Sequence, residues 1–340
     1  MSEAGTDVEG TGVSGRSSGR GTALVYGDVY LRHLTGPMHP ESPDRLRAIV
    51  EALKERSLWS RLVLLQPRRA EMEWVEQVHR SRYVRAVQEL CQAGGGALDA
   101  DTPLSPDSFE VALYAVGGVL EAVDAVLSGK VANAFCAVRP PGHHACPDRG
   151  MGFCIFNNVA IAARYLQGRH GIHRVLIVDW DVHHGNGTQE AFYDDGSVFY
   201  FSVHQFPHYP GTGTRTETGY GEGEGTTCNV PLPAGADDRV YERIFLDELR
   251  PKAMDFEPEF VLVSAGFDLQ QGDLLGSMRV SEAGIRRLTE IVCEIATASP
   301  AQGRLVSVLE GGYALDPLRR NVCAHVDALL QWATRGQGPR

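Results

Sequence analysis

From residue 23 onward the chain alternates short unbroken apolar runs with stretches whose apolar positions recur every three to four residues. The runs ALVY (23–26), ANAFCAV (132–138), RVLIVDWDV (174–182), SVFYFSV (197–203), FVLVSAG (260–266) and RLVSVLE (304–310) predict strands. They do not alternate apolar with polar positions, as expected where helices cover both faces of a sheet. The periodic stretches 43–56, 108–129, 157–166, 187–193, 281–296 and 316–333 predict helices, the first through Leu46, Ile49, Val50 and Leu53. From residue 132 the rhythm is strand then helix, which predicts an α/β fold: one doubly wound parallel sheet with helices on both faces. No repeat or linker divides it, so residues 23–340 are expected to form one domain. Residues 1–22 hold six Gly, four Ser and three Thr and almost no large apolar side chain. They read as a disordered tail, because such a segment buries too little to offset its ordering entropy.

Composition narrows the function classes. The 340 residues carry 32 Lys and Arg against 43 Asp and Glu, a net charge of −11. That balance offers no general attraction to nucleic acid or an anionic membrane surface, and neither is expected as a partner. No apolar run approaches the roughly 18 residues of a membrane span, and no secretory pattern opens the chain. The seven Cys are scattered without a C-x-x-C pair. They read as reduced thiols of a cytoplasmic protein.

Chemistry is concentrated where ligands bind in open α/β sheets, beyond the carboxyl ends of the strands. The 132–138 run leads into Arg139-Pro140-Pro141-Gly142-His143-His144. The 174–182 run contains Asp179 and Asp181 and is followed by His183-His184-Gly185-Asn186. The run at 260–266 is followed by Phe267-Asp268, and that at 304–310 by Gly311-Gly312-Tyr313. A single Asp after a strand is ordinarily a cap or turn residue; four strand ends delivering Asp, His and Tyr to one rim is a pattern. Asp181 and His183, two apart at a strand end, are expected to project to the same side. With Asp268 they make two carboxylates and one imidazole, the three-ligand set of a catalytic zinc with a fourth position open. Fe(II) suits the same donors. Asp179 and Asn186 flank these residues and are candidate partners for His143 and His144: a His beside a carboxylate keeps its charge, and one beside an amide titrates lower. The Tyr313 hydroxyl is a candidate donor to an oxyanion; the plain alternative is an aromatic packed on the core.

The motifs RPPGHHA (139–145), GFCIFNNVA (152–160), DWDVHHGNG (179–187), PGTG (210–213), SAGFD (264–268) and EGGY (310–313), in that order from His39-Pro40-Glu41 to the last predicted helix, resemble the zinc-dependent histone deacetylase family, its class II branch and bacterial members above all. The resemblance implies the arginase/deacetylase fold and hydrolysis of an N-acetyl amide, with release of acetate. It implies Asp181, His183 and Asp268 as zinc ligands, and His144 as general base and then acid. His143, held by Asp179, would be an electrostatic partner, and Tyr313 would polarise the carbonyl. Gly152, Phe153 and Tyr209 would line a narrow channel, with Asp101 and Leu275 at its rim and Arg45 in a cavity beneath. It further implies a structural potassium ion held by Asp179, the Ser202 hydroxyl and the backbone of Asp181 and His183.

The implied substrate is the acetylated side-chain amine of a protein lysine. An acetylated polyamine is the alternative, and Leu275 argues against it, since the polyamine-preferring branch has a Glu at that position. A two-manganese ureohydrolase would need further Asp and His ligands, and DVHH is not a D-x-H-x-D pattern. A non-catalytic acyl-lysine binding module is disfavoured because no ligand or catalytic group is missing. The stretch 219–225 (GYGEGEG) lacks the Lys of a phosphate loop and reads as a flexible loop near the site. The oligomeric state stays open, a homo-oligomer included.

Overall fold

The computed structural model of the chain describes residues 21–335. In order the elements are β1 (Thr22–Val25), α1 (Asp44–Glu55), β2 (Val63–Leu65), α2 (Met72–Val75), α3 (Ser81–Gln92), β3 (Gly96–Ala97), β4 (Pro103–Leu104), α4 (Ser108–Leu127), β5 (Asn133–Cys136) and α5 (Asn158–His170). They continue with β6 (Val175–Asp179), α6 (Asn186–Phe192), β7 (Val198–Gln205), β8 (Thr227–Leu232), α7 (Asp238–Ile244), α8 (Arg250–Phe256), β9 (Phe260–Ala265), α9 (Glu282–Ala298), β10 (Leu305–Leu309) and α10 (Leu315–Arg335).

Eight strands form one sheet in the order β2-β1-β5-β10-β9-β6-β7-β8, and every neighbouring pair is parallel. The six predicted strands are its interior, buried on both faces as their unbroken apolar runs require. The two strands the pattern did not reveal, β2 and β8, are the edges. Their side chains are buried only in part, so no continuous apolar run marks them. β8 carries Pro231, which an edge position tolerates because one side of its backbone has no ladder to join. The short β3–β4 hairpin stands apart from this sheet.

Helices α1, α9 and α10 pack into one group and α4 with α5 into another, and a single apolar core joins them to the sheet. α5 starts where the Asn157 side chain accepts the Ala160 N–H at 3.0 Å and stops at Gly171 in the left-handed region. β1 begins at Thr22, a residue read from the sequence as tail. Its side chain is fully buried and it pairs with Asn133, so the ordered chain starts before residue 23. Residues 1–20 of that tail lie outside the described residues. Among the described residues no helix is long and apolar enough to cross a membrane.

Candidate active site

The four strands whose ends carry the chemistry, β5, β10, β9 and β6, are consecutive neighbours at the centre of the sheet. Their carboxyl-terminal loops therefore meet at one place. β6 stops at Asp179, so Asp181 and His183 lie beyond the strand and the two-residue strand period does not bring them together. The bend does: Asp181 Oδ1 accepts the backbone N–H of His183 at 2.9 Å and lies 3.0 Å from its Nδ1.

Asp268 completes the cluster. Its Oδ2 is 3.3 Å from His183 Nδ1, and one donor atom from each of Asp181, His183 and Asp268 lies within 4.8 Å of the others, all three residues being buried. The second oxygens are committed elsewhere: Asp181 Oδ2 accepts the Gly311 N–H at 2.8 Å, and Asp268 Oδ1 accepts the Val182 N–H at 2.9 Å. Asp268 Oδ2 is buried with no hydrogen-bond partner. An orphaned carboxylate oxygen facing an imidazole nitrogen and a second carboxylate is what a divalent cation satisfies, so the donor set fits a metal with an open position. The electrostatics agree. Burial, then the charge of Asp181, pushes the Asp268 carboxyl up to about 7. Burial opposes charge on His183, yet the two carboxylates outweigh it and raise its imidazole to about 10.

His143 and His144 lie side by side, ring centroids 4.0 Å apart, in opposite electrostatic states. His143 Nδ1 is 3.0 Å from Asp179 Oδ2, which the Tyr200 hydroxyl also contacts at 3.0 Å. Burial disfavours its charge, but Asp179 and Asp181 outweigh that and raise it to about 10. His144 Nδ1 faces the amide oxygen of Asn186 at 2.8 Å. Burial first, then the neighbouring positive charges of His143 and His183, hold it well below the usual imidazole range. The surroundings thus favour the charged form of His143 and the neutral form of His144.

Tyr313 is positioned from below. Asp273 Oδ2 accepts its backbone N–H at 2.7 Å and that of Ala314 at 3.0 Å. Beneath the ring, the fully buried Arg45 places its guanidinium carbon 4.9 Å from the centroid. Glu310, quoted in the EGGY motif but given no role from sequence, ties two loops together: its Oε2 accepts the N–H of Gly142 at 2.7 Å and of His143 at 3.2 Å. Burial raises this carboxyl to about 7. Arg139 and Glu41 were likewise visible only as motif letters; they form a buried two-contact pair at 2.5 and 2.7 Å. Asp273 and Tyr200 had no signal in the sequence that set them apart.

A cavity of about 220 Å³ opens above these groups, lined by Asp101, His144, Gly152, Phe153, His183, His208, Tyr209, Leu275 and Tyr313. The Phe153 and Tyr313 rings meet edge to face at 5.6 Å, and His144 and Tyr209 at 5.1 Å. His208 stacks on His183 at 5.0 Å and lies 2.8 Å from the Leu275 carbonyl. Gly152 has φ +56°, and a Cβ there would come 2.5 Å from His144 Cδ2, so only glycine fits. Ser202 pairs with Asp179 across β6 and β7, and its hydroxyl is 2.9 Å from His204 Nδ1. The glycine-rich stretch 219–225 is not beside this cavity. It folds against Tyr193 and leads into β8, taking the Tyr193 carbonyl at 2.9 Å through the Tyr220 N–H, because its glycines allow close backbone packing before the strand.

Comparison with known proteins adds four findings. Residues 39–329 match the model of the histone deacetylase domain. The chain is 42% identical over 297 residues to a probable deacetylase of Archaeoglobus fulgidus, covering 87% of this chain and 82% of the relative. It is 42% identical over 327 residues to the human polyamine deacetylase HDAC10, covering 91% of this chain and 48%, about half, of that longer protein. A crystal structure of the HDA15 HD domain superposes with a TM-score of 0.87 at 38% identity, over 94% of this chain and 91% of the other.

Proposed function

The chain belongs to the histone deacetylase family and is a deacetylase, and from that premise we propose that it works with zinc on the acetylated side-chain amine of lysine. One observation carries the metal: the orphaned, buried Asp268 Oδ2 facing His183 Nδ1 and the Asp181 carboxylate. A zinc ion bound by these three residues supplies Lewis-acid polarisation of the acyl carbonyl and makes water a stronger acid; Fe(II) would suit the same donors.

The chain's own residues do the rest. His144, neutral through burial and donating Nδ1–H to Asn186, takes a proton from the attacking water at Nε2. It then returns that proton to the departing amine, a contribution of roughly 10² to 10⁴-fold. His143 stays charged beside Asp179 and favours the negative charge that develops above it. The Tyr313 hydroxyl donates to the oxyanion, its loop held by Asp273. Phe153, Gly152 and Tyr209 enclose the aliphatic stem, an apolar passage that suits an acylated neutral amine better than a free ammonium. Asp101 and Leu275 stand at the rim. We assign a structural potassium ion to Asp179, Ser202 and the backbone of Asp181 and His183, on the family resemblance alone.

An acetylated polyamine is the second reading, favoured by the likeness to a polyamine deacetylase. Leu275, apolar at the rim, weighs against it, since it offers no charge to a distal ammonium. The deciding experiment is parallel hydrolysis of an acetyl-lysine peptide and of N-acetylated putrescine and spermidine by zinc-loaded protein. Preference for the peptide upholds the lysine reading and preference for the polyamines replaces it. Failure to cleave either sinks both.

A further inference from the structure

Asn186 has two chemically different ends, and the structure gives each a different kind of neighbour. Its Oδ1 is 2.8 Å from His144 Nδ1. Its Nδ2 is 3.2 Å from Cys146 Sγ and 3.5 Å from Met151 Sδ. A thioether sulfur accepts weakly and has no proton to give. The Cys146 thiol already directs its proton to the His144 carbonyl at 3.5 Å, which leaves its lone pairs to Asn186. Both sulfurs therefore offer acceptors only.

Rotating the amide by half a turn would face Oδ1 toward two groups with no proton to spare. It would also bring the NH₂ against His144 Nδ1, drive the imidazole proton to Nε2, and remove the lone pair directed at the cavity. The two sulfur residues sit in a loop closed on itself. Cys146 donates its N–H to the Arg149 carbonyl at 2.9 Å, and Cys154 donates to Met151 at 3.0 Å. Their placement is thus set by backbone as well as by packing. Burial first, then Glu190, pushes the Cys146 thiol up to about 12, so it keeps its proton in neutral solution.

We infer that Cys146 and Met151 are positioning residues: a pair of sulfur acceptors that orients the Asn186 amide and through it sets the tautomer of His144. The inference rests on the reading of His144 as the base, and it explains how a neutral amide is made to present only its oxygen to that imidazole. Residues that orient metal-ligating imidazoles contribute on the order of 10-fold to 100-fold, and an effect of the same order is expected for the orientation of His144.

The test compares zinc-loaded wild type with Met151→Leu, Cys146→Ala, the double variant, and Cys146→Ser in the Met151→Leu background. For each, the tautomer of His144 is read from ¹⁵N-histidine NMR, alongside zinc content and the separate kcat and KM for an acetyl-lysine peptide. The double variant is expected to show mixed His144 tautomers and a kcat lower by roughly 10-fold to 100-fold, with KM and zinc content little changed. Cys146→Ser, whose hydroxyl can give its proton to the His144 carbonyl as the thiol does and so face Asn186 with a lone pair, is expected to restore both readouts. Asn186→Asp makes the two ends equivalent acceptors, so in that background Met151→Leu is expected to leave kcat where Asn186→Asp alone puts it.

The inference is overturned if His144 in the double variant stays protonated at Nδ1 alone, or if Met151→Leu lowers kcat equally with Asn or Asp at position 186. Should the double variant not fold, Met151→Leu, nearly equal in volume, carries the NMR readout by itself. Wild type that turns over no acetylated substrate would count against the proposed function, while the NMR readout would still decide the orientation of Asn186.

Discussion

Arg45 holds the floor under Tyr313 from 268 residues away in sequence. Its Nε donates to the Gly312 carbonyl at 2.7 Å and an Nη to the Glu310 carbonyl at 2.5 Å, so the backbone on either side of Gly311, just before Tyr313, is fixed by one guanidinium. A further nitrogen lies 3.3 Å from Glu41, which also binds Arg139. The charge is buried but bonded at every edge, the condition under which removing it is costly.

Arg45→Leu is therefore expected to destabilise the protein by about 3–5 kcal/mol, the usual cost of breaking a buried pair by deleting one partner. Urea denaturation of the purified variant measures it. A loss under about 1 kcal/mol, the range of exposed pairs, would show that the guanidinium is replaceable by solvent.

Asp268→Asn is expected to abolish zinc binding and activity together while circular dichroism stays native. An amide oxygen is a poor ligand and its NH₂ would face His183. Elemental analysis after dialysis checks it, and full zinc occupancy in the variant would remove Asp268 from the ligand set.

Tyr313→Phe keeps the ring that packs over Arg45 and edge to face on Phe153 and deletes only the hydroxyl. Loss of one oxyanion donor typically costs about 10²–10³ in kcat, and KM is expected to move much less. Steady-state kinetics on the acetyl-lysine peptide separates the two. An unchanged kcat would exclude the hydroxyl from the chemistry.

Three buried imidazoles and Glu41 are expected to lower stability as acid is added, in two stages and against the opposite contribution of the Glu310 carboxyl, which burial raises to about 7. His33 and His79 are held at about 4 and His325 at about 3 by burial. Below about 6.5, where the unfolded chain takes up these protons and the native one does not, stability declines as pH drops toward 4. Glu41 adds the second stage. Burial alone would raise its carboxyl, but Arg139 and Arg45 hold it at about 2, below the ordinary 4.5. Its contribution is present above pH 4.5 and is lost as pH falls through 2. In both cases the unfolded state binds more protons, so stability rises with pH through these windows. Urea midpoints between pH 8 and 2 test both stages. His325→Gln, where the imidazole lies 2.8 Å from Ser307 Oγ and Thr289 Oγ1, is expected to flatten the slope between pH 6.5 and 4.

The six interior strands, six of the helices (α1, α4, α5, α6, α9 and α10) and the set of chemical residues at the strand ends were legible in the sequence. Apolar periodicity reports burial directly, and Asp181, His183, Asp268, His143, His144 and Tyr313 stand at the ends of runs that the periodicity marks. The edges β2 and β8 were not legible, because a strand with a neighbour on one side only is partly exposed and loses its unbroken apolar signature. Nor was Glu310 as the link between two loops, or Asp273 as the anchor of Tyr313, or Cys146 and Met151 as acceptors for Asn186. Each of these roles exists only when residues far apart in the chain, or on different turns of one loop, are brought within hydrogen-bond reach. A sequence pattern records what each residue buries along its own element; it holds no information about which buried donor faces which buried acceptor. For Asp181 and His183 even the reason for their proximity lay outside the pattern: the strand ends two residues too early, and a backbone N–H donated to a carboxylate in the bend brings the ligands together.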